Sequence, residues 1–339
     1  MSQPLAEPAA LLRVDDLRIT VGGGRAEAVH GVSFEVGKGE TVGLVGESGS
    51  GKTLTCRAIL GVLAPGCAVS SGRIEFDSTD LVTATKSELS RIRSRHIGAV
   101  FQDPASYLNP SLTIGRQLVE VLRVKNGQSR KAAHSRALEL LDLVGLSNPA
   151  RVSRQYPFEL SGGMLQRALL AIAVSCDPEL LVADEATTAL DVTVQAEVID
   201  LLQNLRRELG LSIVFVSHDL AVISQLCDRI VVFYAGEAVE SGTTRDVLRA
   251  PRHRYTRALL DVADTGGWEH RRLAVIPGQP PGPDAARSGC AFADRCPAAA
   301  PDCRSGLIPF QVSGDRGFRC LHPVPAEFAA AAIGSERSI

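Results

Sequence analysis

A glycine-rich loop near the N-terminus combines residue types that bind phosphate. It reads GESGSGKT and comprises Gly46, Glu47, Ser48, Gly49, Ser50, Gly51, Lys52 and Thr53. The glycines let such a loop curl so that main-chain N–H groups face phosphate oxygens. The lysine supplies positive charge to β- and γ-phosphates, and the threonine hydroxyl is a ligand for Mg²⁺. The alternative is a glycine-rich turn that carries a surface lysine, and the elements on either side decide between the two.

Two consecutive carboxylates end an apolar segment later in the chain. Asp184 and Glu185 follow the sequence LLVA, which is typical of a buried strand. A carboxylate at a strand end can hold the Mg²⁺ shell, and a second one can orient an attacking water. Many parallel strands end in acids, so this pair gains weight only together with the phosphate loop.

The elements around these residues alternate between strand and helix. TVGLVG is an apolar strand before the loop, and LTCRAILGVL predicts a helix after it. LLRVDDLRIT, VHGVSFEV, HIGAVFQ and SIVFVSHD also indicate strands, and RIVVFYAGEAVESG predicts a hairpin that turns at Gly236. The pattern predicts an α/β fold with a helical insert over about 103–165.

Composition narrows the function classes. The 339 residues carry a formal net charge of −2 and are 4% aromatic, which argues against a basic surface or stacked aromatics that bind nucleic acid. No apolar run reaches the length of about eighteen residues expected of a membrane-spanning helix, and no secretory leader is predicted. We expect a protein that is cytosolic or held at a membrane by its partners.

A further motif identifies a family. Ser161, Gly162 and Gly163 stand in the sequence LSGGMLQR, between the helical insert and the carboxylate pair. Together with Gln102, Asp191 and His218, this stretch closely resembles the nucleotide-binding subunits of ABC transporters over residues 11–250. The resemblance implies an ABC-type P-loop NTPase fold, with a RecA-like core, an antiparallel β subdomain and an α-helical subdomain.

The resemblance also implies catalytic roles. ATP would bind at the phosphate loop with its Mg²⁺ held by Thr53 and Asp184. Glu185 matches the catalytic glutamate. Gln102 matches the glutamine that senses Mg²⁺ and water and links to the membrane subunit. His218 matches the histidine that contacts the γ-phosphate.

The same resemblance implies that the site is completed by a second ATPase chain. Residues 161–163 match the signature loop, which faces the γ-phosphate bound by the partner subunit, and Asp191 matches the aspartate that crosses the interface. The chain departs from the family pattern at Val21, where an aromatic often stacks on adenine. It also has Ala186 and Leu165 where proline and a basic residue are usual.

The segment after the core resembles one subfamily. PRHRYTRALL, IPGQPP and GCAFADRCP are similar to the C-terminal extension of oligopeptide and dipeptide ABC importers. The predicted organisation is a flexible leader (1–10), the ATPase domain (11–250), a small Cys-rich extension (251–325) and a flexible tail (326–339).

Four cysteines gather in this extension. Cys290, Cys296, Cys303 and Cys320 are separated by five, six and sixteen residues. Four thiolates can hold zinc or a 4Fe–4S cluster, and structural zinc usually shows tight C-x₂₋₄-C pairs that are missing here. Some members of the resembled subfamily hold a 4Fe–4S cluster on such cysteines, which makes the cluster the preferred interpretation. Zinc and unliganded thiols are the alternatives.

The overall prediction is an ATPase subunit of a peptide-type ABC importer, peripheral on the cytoplasmic face of the cell membrane. The resemblance implies a second ATPase subunit, two transmembrane permeases and an extracytoplasmic solute-binding protein as partners, and no nucleic acid. The alternatives are an importer ATPase for nickel or another non-peptide solute, and a soluble ABC ATPase with no transport role.

Overall fold

A computed structural model describes residues 10–101, 104–186, 191–263, 275–285 and 288–325. Within them the chain forms two compact units. The first comprises Val36–Thr41 and Thr83–Ser217, and the second comprises Leu12–Glu35, Val42–Val82 and the residues from 218 onward. Except for Ala10, the predicted leader and the predicted tail lie outside the described residues, as does Gln102.

The described strands and helices follow the predicted alternation. The strands are β1 (Leu12–Val21), β2 (Ala26–Val36), β3 (Thr41–Val45), β4 (Ala68–Phe76), β5 (Thr79–Asp80), β6 (Ile97–Val100), β7 (Leu180–Asp184), β8 (Ser212–Ser217), β9 (Arg229–Tyr234), β10 (Glu237–Thr243), β11 (Gln311–Ser313) and β12 (Arg316–Phe318). The α-helices are α1 (Lys52–Ile59), α2 (Lys86–Arg95), α3 (Pro104–Tyr107), α4 (Ile114–Asn126), α5 (Arg130–Leu143), α6 (Pro149–Val152), α7 (Gly162–Val174), α8 (Val192–Leu209), α9 (Leu220–Leu226), α10 (Thr244–Arg249) and α11 (Arg254–Ala263).

The first unit contains three parallel strands in the order β8-β7-β6. Their apolar runs are buried, as expected for strands covered on both faces. Helix α7 lies so close to β6 that a Cβ at Gly98 would stand 2.5 Å from the Ala173 carbonyl oxygen. Only glycine permits that approach, which brings the helix that begins at the signature sequence onto the sheet.

Three long helices of the first unit, α4, α5 and α7, begin at side-chain caps. Thr113, Ser129 and Ser161 each accept a hydrogen bond from the main-chain N–H three residues later, at the start of α4, α5 and α7. These caps satisfy N–H groups that have no partner inside the helix. They explain why each helix begins where the sequence places a hydroxyl before an amphipathic run.

The second unit contains an antiparallel sheet, in the order β2-β1-β4-β5, and a further run of strands in the order β11-β12-β10-β9-β3. Strand β3 is parallel to β9, and β9 forms the predicted hairpin with β10. The hairpin turns at Ala235 and Gly236, whose φ angles of 47° and 82° are those of a two-residue turn with both φ positive.

The C-terminal segment is residues 251–325, and its described part packs within this second unit. Strand β12 pairs antiparallel with β10, and Phe292 lies edge-on to Tyr234 and Tyr255 at centroid distances of 5.3 and 5.4 Å. All three rings are buried. These contacts bury apolar surface that the segment could not bury alone. No helix among the described residues combines the length and apolar character needed to cross a bilayer.

Candidate active site

The phosphate loop joins β3 to α1, as the flanking sequence predicts. A Cβ at Gly46 would stand 2.1 Å from the Phe233 carbonyl oxygen, and Gly46 also has a φ of 152°. Gly51 precedes α1 with a φ of 101°. Side chains rarely adopt these conformations, so the glycines set the curvature of the loop.

Lys52 is the first residue of α1, and its side chain is buried against the loop. Its Nζ donates hydrogen bonds to the carbonyl oxygens of Gly46 (2.7 Å) and Glu47 (2.9 Å) and to the Ser50 hydroxyl (3.3 Å). The loop's own oxygens therefore hold the ammonium group close to the main chain that would face a phosphate.

In the first unit, Asp184 ends β7 and is 5% exposed. Glu185 follows in the left-handed region, with a φ of 52°, and its N–H donates to the Val216 carbonyl oxygen of β8 at 3.1 Å. Non-glycine residues with this φ are rare overall, and those that occur are concentrated at functional sites. The turn places two successive carboxylates at the C-terminal edge of the parallel strands.

The signature residues lie at the start of α7. The Ser161 hydroxyl accepts from the Met164 N–H at 3.3 Å, and Ser161 and Gly162 are exposed. The Asp191 carboxylate caps α8 in the same way, accepting from the Val194 N–H at 2.9 Å. A Cβ at Gly163 would stand 2.8 Å from Val194 Cγ1, so the first turns of α7 and α8 adjoin. The structure thus brings the signature residues and Asp191 together within the first unit.

His218 and Gln102 complete the set predicted from the sequence. His218 directly follows β8 and is exposed, next to Asp219, which caps α9. It begins the last of the three chain segments that form the second unit. Gln102 lies outside the described residues.

The four cysteines of the extension surround one small pocket. Cys290, Cys296, Cys303 and Cys320 all line it, and the Cys290 N–H donates to the Cys303 carbonyl oxygen at 2.7 Å. None of the four forms a disulfide. Burial, aided by the neighbouring thiols, raises the pKa of Cys290 to about 11. Thiols grouped in this way ionise to thiolates only when a bound cation offsets their negative charge.

His253 also lines this pocket and is 1% exposed. Its Nδ1 accepts a hydrogen bond from the Tyr255 N–H at 3.0 Å, and the Arg319 main chain also interacts with the ring. Burial lowers the pKa of His253 to about 3. The ring is therefore neutral, with its proton on Nε2.

Sequence reasoning missed the surroundings of Glu47. The Glu47 N–H donates to the Tyr255 hydroxyl, and its carboxylate pairs with Arg295. Those residues are 208 and 248 positions away in the chain. No local pattern indicates such a contact.

Two family models match the chain. The model described as "ABC transporter" matches residues 29–188, and the one described as "Oligopeptide/dipeptide transporter, C-terminal region" matches residues 239–303. The oligopeptide transport ATP-binding protein AppD of Bacillus subtilis is 45% identical over 277 residues, covering 81% of this chain and 84% of that protein. The chain belongs to the ABC transporter ATP-binding proteins.

Other comparisons agree with this assignment. The probable D,D-dipeptide transport ATP-binding protein DdpD of Escherichia coli is 42% identical over 323 residues. The alignment covers 94% of this ABC protein and 96% of DdpD. A solved dimeric structure of the ATP-binding cassette MJ0796 bound to ADP and Pi has a TM-score of 0.62 at 29% identity, covering 69% of this chain and 99% of that one. The predicted family and fold class are both confirmed.

Proposed function

We propose that this chain is the ATP-hydrolysing subunit of an ABC importer for dipeptides or oligopeptides. The observation that carries the proposal is the match of residues 239–303 to the transporter C-terminal region, together with relatives named for peptide transport that align over most of the chain. A relative is also named as a dipeptide transport protein in Bacillus subtilis. Peptide transport is therefore favoured over nickel or another solute, and over a role outside transport.

In this proposal the phosphate loop binds the triphosphate of ATP. The Lys52 ammonium group now donates hydrogen bonds to neutral loop carbonyls. When ATP binds, it would donate instead to charged phosphate oxygens, because charge-assisted hydrogen bonds are stronger. Mg²⁺ would neutralise phosphate charge, and the Thr53 hydroxyl and Asp184 carboxylate supply the hard oxygen ligands that it prefers. Gln102 would take part in the same Mg²⁺ and water contacts.

Hydrolysis is assigned to Glu185 and His218. The Glu185 carboxylate would orient and polarise the attacking water, and His218 would donate a hydrogen bond to the γ-phosphate. Each group would act on charge that grows in the transition state, so neither is required for ATP to bind. The left-handed conformation at Glu185 is the strain expected of a residue positioned for such a role.

In the proposed dimer, the starts of α7 and α8 would form the contact with the second ATPase chain. The exposed Ser161 hydroxyl and the N–H groups of Gly162 and Gly163 would face the γ-phosphate bound by a second ATPase chain, because a helix N-terminus attracts anions. Asp191, beside them, would reach across the interface. ATP would hold two chains together and hydrolysis would release them.

A substitution at Ser161 separates this role from helix capping. Ser161→Asp keeps a good N-cap, so we expect the thermal unfolding midpoint to stay unchanged. The added carboxylate would repel the partner's phosphates and weaken ATP-dependent dimerisation by about 10-fold or more. Light scattering in a Glu185→Gln background measures the dimer. Ser129→Asp, the same change at the cap of α5, is the control, and equal dimerisation in both variants would refute the assignment.

We also propose that the four cysteines hold a 4Fe–4S cluster. Zinc at about 2.3 Å from each sulfur requires sulfurs about 3.8 Å apart. Among the described residues no three of these thiols lie within 4.8 Å of one another, whereas Asp302, Cys303 and His322 do. The looser spacing of these cysteines in the sequence also differs from the tight C-x₂₋₄-C pairs usual at structural zinc. The cluster would have a structural role, cross-linking the C-terminal segment through its four cysteine ligands.

Metal analysis of anaerobically purified protein tests this assignment. We expect about four irons per chain and broad visible absorbance, both lost in Cys296→Ser and both retained in His322→Ala. One zinc per chain that is lost in His322→Ala would assign the metal to the Asp302, Cys303 and His322 group instead. A colourless protein without metal would leave the cysteines as thiols.

The partners in this proposal are two permeases, a second ATPase chain and a solute-binding protein, which place the chain on the cytoplasmic face of the membrane. Affinity purification of the tagged full chain from detergent-solubilised membranes tests this. We expect permeases to co-purify, and mass spectrometry would identify them. Recovery with ribosomes or nucleic acid, and without any permease, would favour an ABC ATPase outside transport.

A further inference from the structure

The second residue of the phosphate loop is held by the C-terminal segment. The Glu47 main-chain N–H donates to the Tyr255 hydroxyl at 2.8 Å. Its carboxylate accepts two hydrogen bonds from Arg295, Nη1 to Oε2 at 2.6 Å and Nη2 to Oε1 at 2.9 Å. A paired arrangement of this kind fixes the orientation of the carboxylate as well as its position.

Arg295 is itself fixed by its surroundings, and its side chain is 4% exposed. Its three nitrogens all have acceptors besides Glu47: Nη1 donates to the Tyr234 hydroxyl, Nη2 to the Ile276 carbonyl and Nε to the Pro277 carbonyl, at 3.2, 3.1 and 2.9 Å. A buried arginine with this many partners is rigid. Removing either the Glu47 carboxylate or the Arg295 charge would leave the other charge without its partner.

The contact reaches the residues that face phosphate. The Glu47 N–H is bound by Tyr255, while the Glu47 carbonyl oxygen accepts from Lys52 Nζ at 2.9 Å. One residue of the loop therefore connects the C-terminal segment to the lysine. The proline-rich stretch also lies beside the loop, because Glu47–Ser50 and Pro280–Pro283 line the same pocket of about 190 Å³.

We propose that Arg295 is a positioning residue for the phosphate loop, acting through Glu47 so that ATP affinity depends on the C-terminal segment. The alternative is that the ion pair only anchors the segment to the body of the second unit. An anchor alone would affect the stability of the segment but would leave ATP binding by the folded chain unchanged.

Binding measurements on the full chain distinguish these two roles. In Arg295→Gln we expect the Kd for ATP to rise about 10-fold while kcat at saturating ATP stays within about twofold, because ground-state positioning is lost. Arg295→Lys keeps the charge but not the paired geometry, and an intermediate Kd is expected. Arg304→Gln, which breaks the exposed Arg304–Asp294 pair in the same segment, is the matched control and should leave Kd unchanged.

A double-mutant cycle tests whether the effect passes through Glu47. If it does, Glu47→Gln and Arg295→Gln together raise Kd no more than either alone, because each removes the same contact. Should Arg295→Gln fail to fold, Tyr255→Phe removes only the hydroxyl that accepts the Glu47 N–H, and we expect a two- to threefold rise in Kd. A lower unfolding midpoint with Kd unchanged in all of these variants, or additive effects in the cycle, would overturn the proposal.

Discussion

Replacement of Glu185 by glutamine is expected to lower ATP turnover by about 100-fold or more, while the Kd for ATP changes by less than about threefold. The amide keeps the size and the turn geometry of the side chain but cannot polarise the attacking water, and positioned general bases contribute about this much to rate. Turnover is measured as phosphate release by the complete transporter, and binding is measured separately by calorimetry.

The chain offers a matched control at the other end of β7. Glu179 precedes β7 at the end opposite Glu185 and bonds His96. Glu179→Gln is the same chemical change in the same unit, and turnover should stay within about twofold of the original. If Glu185→Gln hydrolyses ATP as fast as that control, Glu185 is not the catalytic carboxylate.

Replacement of Lys52 by methionine is expected to raise the Kd for ATP by about 100-fold. Methionine preserves the buried stem but removes the charge-assisted hydrogen bonds to phosphate, which are worth about 1.5–3 kcal/mol. It also leaves the Gly46 and Glu47 carbonyls without the donor that now bonds them. Calorimetric titration with ATP and Mg²⁺ measures the effect.

Lys38 provides the comparison, since it lies exposed in the turn that leads into β3. Lys38→Met removes a positive charge near the start of β3, the end of the strand opposite the phosphate loop, and ATP affinity should change by less than twofold. Equal Kd values for the two methionine variants would show that bulk charge, and not the loop lysine, sets the affinity.

Local patterns were sufficient to predict much of the core. The apolar run before Gly46 predicts β3, and the positive φ angles at Ala235 and Gly236 occur where the sequence indicates a hairpin turn. Such features depend on neighbours in the chain, because periodicity and turn chemistry act over a few residues.

The surroundings of the phosphate loop could not be predicted in this way. Arg295 looks like an ordinary surface residue beside Cys296, and only the fold brings it to Glu47. Phe292 likewise packs on Tyr234 and Tyr255, and the sequence around Phe292 gives no local sign of those contacts. Contacts between residues this far apart depend on topology, which a single sequence indicates only through a resemblance.

In the proposed transporter, this chain couples ATP hydrolysis to peptide import. The most direct test is uptake of labelled dipeptides and oligopeptides into proteoliposomes that contain the chain with its co-purified permeases and binding protein. We predict uptake that requires ATP and is lost when the chain carries Glu185→Gln. ATP hydrolysis that is unaffected by peptide, with uptake of nickel or of no solute at all, would contradict the proposed function.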